Sequence, residues 1–353
     1  MGRATETISG GAVRPGGARI PHTVDLALDA LDRSGVRWAL LREAELAMPD
    51  GDVSILCDRA DLGGLEAALR PLGFGRLHRY GRGPHRFFVA YDVADERWIR
   101  LDVVTELAFG RYQELRLDAA TGCLERRHRV GRLAVLAEDD AFWTLLLHSM
   151  LDPGTSSPAR RRVLRELAAA ASTEGGLGLA LEGALAEHGQ ATVLLELTQA
   201  GDWTALERLG PKVRATWIRR GSTRVRARAA LNAALRRVGR LPPLCRGGLV
   251  FRAGGPDAEL AAAVVGRWCL SRRLLRVGAS RTDAVTSLLA ARWHAAFGRL
   301  VVLDVRRSAS FPRFLERLSR VRELASVVDD SSSRPVSEAV ARIWGLYVGR
   351  THV

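Results

Sequence analysis

The sequence predicts an α/β protein in three parts: an α/β domain over residues 21–135, a helical region over 136–240, and a doubly wound parallel sheet over 248–353. Three observations predict this class. Strands and helices mix in the first part, helical periodicity fills the middle, and strict strand-helix alternation returns in the last. Such alternation is typical of parallel sheets covered by helices. Residues 1–20, rich in Gly, Pro and Arg, are expected to form a disordered tail, and 241–247 a linker.

The first part begins with a helix and continues mainly as strands. Apolar residues at helical spacing run from Thr23 to Gly35, and glycine commonly ends a helix. Two short strands follow, then the helical pattern DLGGLEAALRPLGF, then two longer strands separated by the turn VADE. The predicted strands are Val36–Arg42, Asp52–Asp58, His85–Asp92 and Arg97–Leu107.

The middle part carries a 3.6-residue apolar period in segments such as EDDAFWTLLLHSMLD and ATVLLELTQAG. His148 lies among apolar residues there, so a hydrogen-bonded core histidine is expected. The stretch Arg224–Arg240 is predicted to form an amphipathic helix. Its arginines either cover apolar surface with their stems or meet lipid phosphate.

The last part alternates four apolar strands, beginning with LVFRA at Leu249, with four helices that end in PVSEAVARIWGLYVGR. In open parallel sheets, phosphates bind at the first strand-to-helix turn, where helix amides point outward. The turn after LVFRA is therefore a candidate phosphate site.

Composition and net charge limit the classes of partner that the chain is expected to bind. A net charge of +14 and a pI near 11.0 would suit nucleic acid, anionic lipid or phosphorylated ligands. The basic clusters are mixed with acids and contain few aromatics, unlike the stacking platforms of single-strand binders, so a solvated surface is favoured over nucleic acid. No apolar run approaches the roughly 20 residues that cross a bilayer. A cytoplasmic protein without a transmembrane segment is expected.

The cysteines are widely spaced, which argues against a zinc site or a disulfide framework and predicts small buried residues. They are Cys57, Cys123, Cys245 and Cys269.

Acidic residues on two predicted strands suggest a divalent-metal site. Side chains two apart on a strand share a face, and carboxylates on neighbouring strands can hold Mg²⁺ for displacement at a nucleotide phosphate. Asp52 and Asp102 are the candidate metal ligands and catalytic residues. Their alternative role is that of strand-end acids paired with one of many arginines. Three arginines that flank these strands could meet a phosphate or be ordinary surface residues, namely Arg86, Arg97 and Arg100, and His85 could approach the site.

The stretches LLREAELAMPDGDVSILCD and RWIRLDVVTELAFG resemble the nucleotidyltransferase superfamily. From about Thr23 onward, domain order and local phrases resemble bacterial nucleotidyltransferase-like proteins with a thymidylate-kinase-like domain. The family has an Asp-hydrophobic-Asp pair and a third Asp, which Asp52 and Asp102 match as first and third. Ser54 stands at the second position, and Arg42-Glu43 replaces the family's Gly-Ser turn. Further oxygen ligands would have to come from Ser54, Asp50 or Glu43.

The segment GGLVFRAGGPDAELAAAVVGRW resembles the phosphate loop of thymidylate kinases, Gly-Pro-Asp-Gly-x-Gly-Lys-Ser-Thr. It lacks the residues of that loop that bind phosphate and magnesium. Gly255-Pro256-Asp257 match its beginning, whereas Ala261 replaces the lysine and Ala262 the magnesium-binding hydroxyl. The remaining candidates for phosphate binding are Gly254, Gly255, Asp257 and Arg252.

These departures predict a pseudoenzyme without kinase activity that binds a phosphorylated small molecule or a protein partner. The resemblance implies a bacterial setting in polysaccharide or specialised metabolism, and use of nucleotide and Mg²⁺ if the first site is active. One alternative is a metal-dependent nucleotidyltransferase with residual activity at Asp52 and Asp102. Another is an Arg-rich protein that binds nucleic acid or an anionic membrane.

Overall fold

A computed structural model describes the fold of most of the chain, which divides into two compact units. The first comprises Met1–Leu72, Gly81–Arg86 and Arg100–Ala234, and the second Gly73–Tyr80, Phe87–Ile99 and Leu235–Val353. The described residues are 20–41, 52–77, 84–110, 113, 115–152, 157–185, 189–220, 223, 226–227, 230–231, 234, 249–254, 257–270, 272–277, 281–296, 300–305, 322–324 and 334–351.

A seven-stranded mixed sheet has the order β3-β4-β5-β2-β1-β9-β8. The central pair β2 and β5 is parallel, β1 is antiparallel to β2 and parallel to β9, and β8 and β9 form an antiparallel edge. A separate two-stranded ribbon is formed by β6 and β7. The strands are β1 (Trp38–Leu40), β2 (Val53–Cys57), β3 (Gly75–Arg76), β4 (His85–Asp92), β5 (Arg97–Val104), β6 (Leu107–Phe109), β7 (Leu115–Leu117), β8 (His128–Val130) and β9 (Leu133–Val135).

Helices α1 (His22–Arg33) and α2 (Leu62–Leu69) belong to the first unit. Helix α1 buries one apolar stripe, which includes Leu28 and Leu31, as its periodicity predicts. The chain leaves α1 through Gly35 at φ 73°, a left-handed conformation in which a Cβ would be strained.

Helices α3 to α8 pack together as a bundle in the first unit. Helix α4 buries both faces, including Phe142 and Trp143, because it lies at the centre of the bundle's core. The helices are α3 (Ala120–Arg126), α4 (Glu138–Leu151), α5 (Pro158–Ala168), α6 (Gly176–Ala184), α7 (Gln190–Ala200) and α8 (Trp203–Arg220).

The second unit contains an all-parallel sheet of order β11-β12-β10-β13. One face packs against α9 and α11, and the other against α10, so helices cover both faces of this sheet. The elements are β10 (Leu249–Gly254), α9 (Asp257–Arg267), β11 (Arg272–Val277), α10 (Arg281–Ala296), β12 (Leu300–Val305), β13 (Arg322–Glu323) and α11 (Pro335–Thr351).

The second unit also includes the outer halves of β4 and β5 with the turn between them. Trp98 packs edge-on against Trp268 and Trp344, with ring centroids 5.5 and 5.1 Å apart. Its Nε1 donates to the carbonyl of Arg267 over 2.6 Å. At the turn, Glu96 adopts φ 52° and binds Arg267 Nη2 at 2.8 Å. This hairpin segment, residues 87–99, is thus part of the C-terminal core.

Several sequence predictions need correction. The predicted strand Arg97–Leu107 is two strands, because the backbone bends after Val104 and the Thr105 amide donates to the carbonyl of Pro84. Cys269 is exposed, whereas Cys57 and Cys123 are buried as predicted. His148 is hydrogen-bonded as predicted, to Asp152 one helical turn away at 2.8 Å, but it is only partly buried.

Other predictions fall on residues that are not described. These are the tail over residues 1–19, most of Arg224–Arg240, the linker, the predicted helix over 313–321 and the predicted strand over 325–329. The three-part domain boundaries stay a prediction. Within the described part of the chain, no helix combines the length and apolarity that a membrane span requires.

Candidate functional site

The parallel pairing of β2 and β5 creates a polar strip within an otherwise apolar sheet. Ser54 is level with Asp102, so both side chains lie on one face. Asp52, just before β2, and Arg100, on β5, occupy the preceding row of that face. The opposite face carries buried apolar side chains, including Ile55. Strand alternation therefore brings both predicted carboxylates to the same side of the sheet.

Asp52 forms an ion pair with Arg100. The Nε of Arg100 lies 2.9 Å from Oδ1 of Asp52, and the two side chains are 50% and 38% exposed. The arginine places a fixed positive charge beside the carboxylate. This is the pairing with an arginine that the alternative role of Asp52 predicts, and its role as a metal ligand stays a prediction.

Asp102 is buried, and His85 holds it. The side chain of Asp102 is 11% exposed, and Nδ1 of His85 hydrogen-bonds both carboxylate oxygens, at 2.8 and 2.9 Å. A buried carboxylate is costly unless it is paired or hydrogen-bonded. The imidazole at the start of β4 meets that requirement, so the expected approach of His85 to the site is confirmed. Arg86 adds a positive charge nearby, with Nη1 donating to the carbonyl of His85 at 2.8 Å.

The described side chains do not fit a divalent metal ion. A magnesium site needs several oxygen ligands, but Asp52 faces a guanidinium, Asp102 faces an imidazole, and Ser54 supplies a hydroxyl in place of a carboxylate. No group of three His, Cys, Asp or Glu that could hold a metal occurs within the described ranges. Asp50 and Glu43 lie outside them, so their predicted role as ligands stays a prediction.

The second predicted site lies at the end of β10. Gly254 is its last residue and Asp257 begins α9, while Gly255 and Pro256 lie outside the described residues. A phosphate loop needs a longer non-helical turn whose amides converge on the ligand. Here the residues aligned with the second half of that loop are already helical.

The lysine position of that loop is occupied by a core residue. Ala261 is fully buried in the cluster formed by α9, α11 and β10. Arg252 lies within β10, level with Leu303 and Glu323 on its two neighbours, before the turn. The phosphate-binding roles of Gly254, Gly255, Asp257 and Arg252 stay predictions.

Sequence reasoning missed two features of the first unit. One is the burial of Asp102. The period-two pattern that relates it to Ser54 could have indicated a shared face, but not the depth of that face. The other is Asp140, a fully buried acid paired with Arg126. Asp140 lies in a run of acids, a pattern typical of a solvent-exposed helix N-terminus.

Comparisons with known proteins leave the family open. No protein-family model matches the chain, and no curated protein matches it. A solution structure of the antibiotic-resistance factor ANT(2'')-Ia is similar at 17% identity, over 53% of this chain and 94% of that chain, with a TM-score of 0.29. A similarity at this TM-score carries no argument about fold or function.

Proposed function

We propose that this chain is a pseudoenzyme of the nucleotidyltransferase-like and thymidylate-kinase-like type, which binds a phosphorylated ligand or a partner protein. One observation carries the proposal. Each carboxylate predicted to hold a catalytic metal is engaged by another side chain, Asp52 by Arg100 and Asp102 by His85.

Electrostatics explains why this engagement opposes metal-dependent transfer. A guanidinium stays protonated at any physiological pH, and like charges at short range repel. A Mg²⁺ ion approaching Asp52 would have to displace Arg100 or share its carboxylate with it. Ser54 adds no compensating negative charge. The site therefore favours a ligand that does not bring a metal ion with it.

The end of β10 supports the absence of kinase activity. Phosphoryl transfer depends on a loop lysine and a magnesium-binding hydroxyl at the helix start. Ala261 faces the core instead, and Glu259 adds negative charge to the first turn of α9. A negative side chain there interacts with the helix dipole itself and repels an incoming phosphate.

A second candidate function is residual metal-dependent nucleotidyl transfer. It is favoured by the placement of Asp52 and Asp102 on one face of neighbouring parallel strands. The third prediction, an Arg-rich surface for nucleic acid or membranes, depends on Arg224–Arg240, which lies mostly outside the described residues.

Calorimetry with ATP, CTP, UTP and dTMP, with Mg²⁺ or with EDTA, tests the proposal on the wild-type chain and on Asp52→Asn/Asp102→Asn. We expect no binding that depends on Mg²⁺ and no release of pyrophosphate. Asparagine keeps the side-chain shape, so circular dichroism should show a folded double variant. Binding that requires Mg²⁺, releases pyrophosphate and is lost in the variant would establish the second candidate instead.

A further inference from the structure

The ion pair between Arg100 and Asp52 leaves much of the Arg100 guanidinium accessible to a ligand. It faces Asp52 through Nε, the nitrogen nearest the side-chain stem, and it is half exposed. The structure gives its two terminal amino groups no hydrogen bond or ion pair within the residues that it describes. Arg129, by contrast, uses both terminal nitrogens on Asp32, at 2.9 and 3.0 Å.

The polar strip around Arg100 lies within an otherwise apolar sheet. Ser54 and Asp102 are buried beside strongly apolar neighbours such as Leu101 and Val103. Burying an acid and a histidine side by side is usually no better for stability than apolar residues of similar volume. Buried polar groups with a specific charged partner are often found at binding sites.

We propose that Arg100 is the phosphate-binding residue of this site, and that Asp52 positions Arg100 and does not ligate a metal. The inference rests on the proposed function and assigns its ligand class, a phosphate group bound without a metal ion. Arginine suits this role because its planar donors match two oxygens of a phosphate at once.

The charges of the strip restrict how such a ligand lies. Asp52 and Arg100 compensate each other, whereas Asp102 in the next row is an acid whose ion-pair partner among the described residues is the imidazole of His85. A phosphate is therefore attracted at the outer end of the strip and repelled from the row of Asp102. The part of the ligand that reaches the row of Asp102 and Ser54 should be uncharged and able to form hydrogen bonds.

Direct titration tests the assignment with inorganic phosphate, pyrophosphate and ATP as probes. Binding is measured by calorimetry in EDTA and again in Mg²⁺, for the wild type, Arg100→Ala, Arg100→Lys, Asp52→Asn and Arg33→Ala. Arg33 is the matched control, an exposed arginine paired with Asp29 on α1. Because Arg100 is half exposed, its variants should fold, and circular dichroism confirms this before titration.

We expect at least one probe to bind equally with and without Mg²⁺. Arg100→Ala should weaken that binding about 10-fold or more, as is typical of charge-assisted hydrogen bonds. Arg100→Lys should restore only part of it, since lysine lacks the planar pair of donors. Asp52→Asn should weaken it less than Arg100→Ala, and Arg33→Ala should leave it unchanged.

Three results would overturn the assignment, and they are distinguishable. If the wild type binds a probe and Arg100→Ala binds it equally well, or binding needs Mg²⁺ and Asp52, the role of Arg100 is wrong while ligand binding stands. If the wild type binds none of the probes, the phosphate ligand of the proposed function fails together with the assignment. Binding of ATP but not of inorganic phosphate or pyrophosphate would identify a nucleotide as the source of the phosphate.

Discussion

Among the described residues of the first unit, two aspartates are buried, and they depend on different partners. Asp102 relies on an imidazole, which is charged only when protonated. Asp140 relies on the guanidinium of Arg126, with bonds of 3.0 and 2.9 Å, and on the backbone amide of Leu177 at 2.9 Å. The second arrangement links α3, α4 and α6, so it is a structural cross-link. The pair of Asp102 and His85 lies on the polar strip and suits a binding site.

Removing the carboxylate of Asp140 should destabilise the first unit. Asp140→Ala leaves the buried amide of Leu177 without its acceptor, and we expect a loss of about 2 kcal/mol in the free energy of unfolding. Urea denaturation followed by circular dichroism measures it. Asp29→Ala, which removes an exposed partner of Arg33, is the control and should cost under about 0.5 kcal/mol. Equal losses in both variants would mean that Asp140 is not a cross-link.

The buried cysteines Cys57 and Cys123 should react more slowly with alkylating reagents than the exposed Cys269. Burial, followed by the charges of Asp61 and Asp58, raises the pKa of the Cys57 thiol to about 12. Burial, followed by Asp140, raises the pKa of Cys123 to about 12 as well. Because the thiolate is the nucleophile, both should resist alkylation at pH 8, where Cys269 reacts.

This expectation can be measured in a Cys245→Ser variant, since Cys245 lies outside the described residues. Iodoacetamide followed by mass spectrometry should show one labelled cysteine in the folded protein and three in urea. Labelling of Cys57 or Cys123 at the rate of Cys269 would contradict their burial.

At the scale of elements, long periodic segments were predictable and short strands were not. The helix from Thr23 and the strands at Asp52 and His85 follow directly from their apolar periods. Strand β1 lies within the predicted strand Val36–Arg42. The other three-residue strands of the first unit carry too few residues to show alternation, and they depend on tertiary pairing. The candidate site was likewise predictable only in part. Period two places Ser54 and Asp102 on one face, whereas the contact of Asp102 with His85 depends on how separate strands pack.

Helix α6 offers a matched pair of glycines. A Cβ at Gly178 would clash with the carbonyl of Ser172 and lie 2.6 Å from Nε1 of Trp143, which itself donates to that carbonyl at 2.9 Å. Gly178→Ala should therefore destabilise the bundle by about 1–3 kcal/mol, the usual cost of overpacking.

Gly183 on the same helix has no neighbour within 4 Å of the added Cβ. Gly183→Ala should stabilise the protein by about 0.5–1 kcal/mol through helix propensity alone. Thermal unfolding of both variants compares them in one experiment. The same sign of change in both would show that close packing does not constrain Gly178.

At the scale of the whole molecule, the second unit is built from distant parts of the sequence. The hairpin segment completes the aromatic core around Trp268 and Trp344, and Arg334 binds the carbonyl of Val93 at 3.1 Å. Sequence periodicity could assign strands to this segment. It could not indicate that their outer halves pack against helices more than 150 residues away.

The second unit should therefore depend on the hairpin segment for its stability. Trp98→Ala removes a partly buried ring and its hydrogen bond, and we expect a loss of about 2–4 kcal/mol. The same change at Trp293, which is 65% exposed on α10, should cost under about 0.5 kcal/mol. Denaturation monitored by tryptophan fluorescence and circular dichroism measures both.

A fragment of residues 241–353 provides an independent check. It lacks residues 73–80 and 87–99, which belong to the second unit, so it should give the circular dichroism of an unfolded chain. A fragment that unfolds cooperatively by itself would show that the hairpin segment is dispensable.

The interleaved second unit also sets an order of events during synthesis. The carbonyl of Gly73 receives its hydrogen bond from Trp344, which lies 271 residues later in the chain. At typical elongation rates of about 5–20 residues per second, the early segment waits roughly 14–54 s for this partner. Until Trp268 and Trp344 are made, Trp98 lacks the aromatic rings that later pack against it. A newly made chain is therefore most exposed to aggregation while it is still on the ribosome, and chaperone capture at residues 87–99 would protect it.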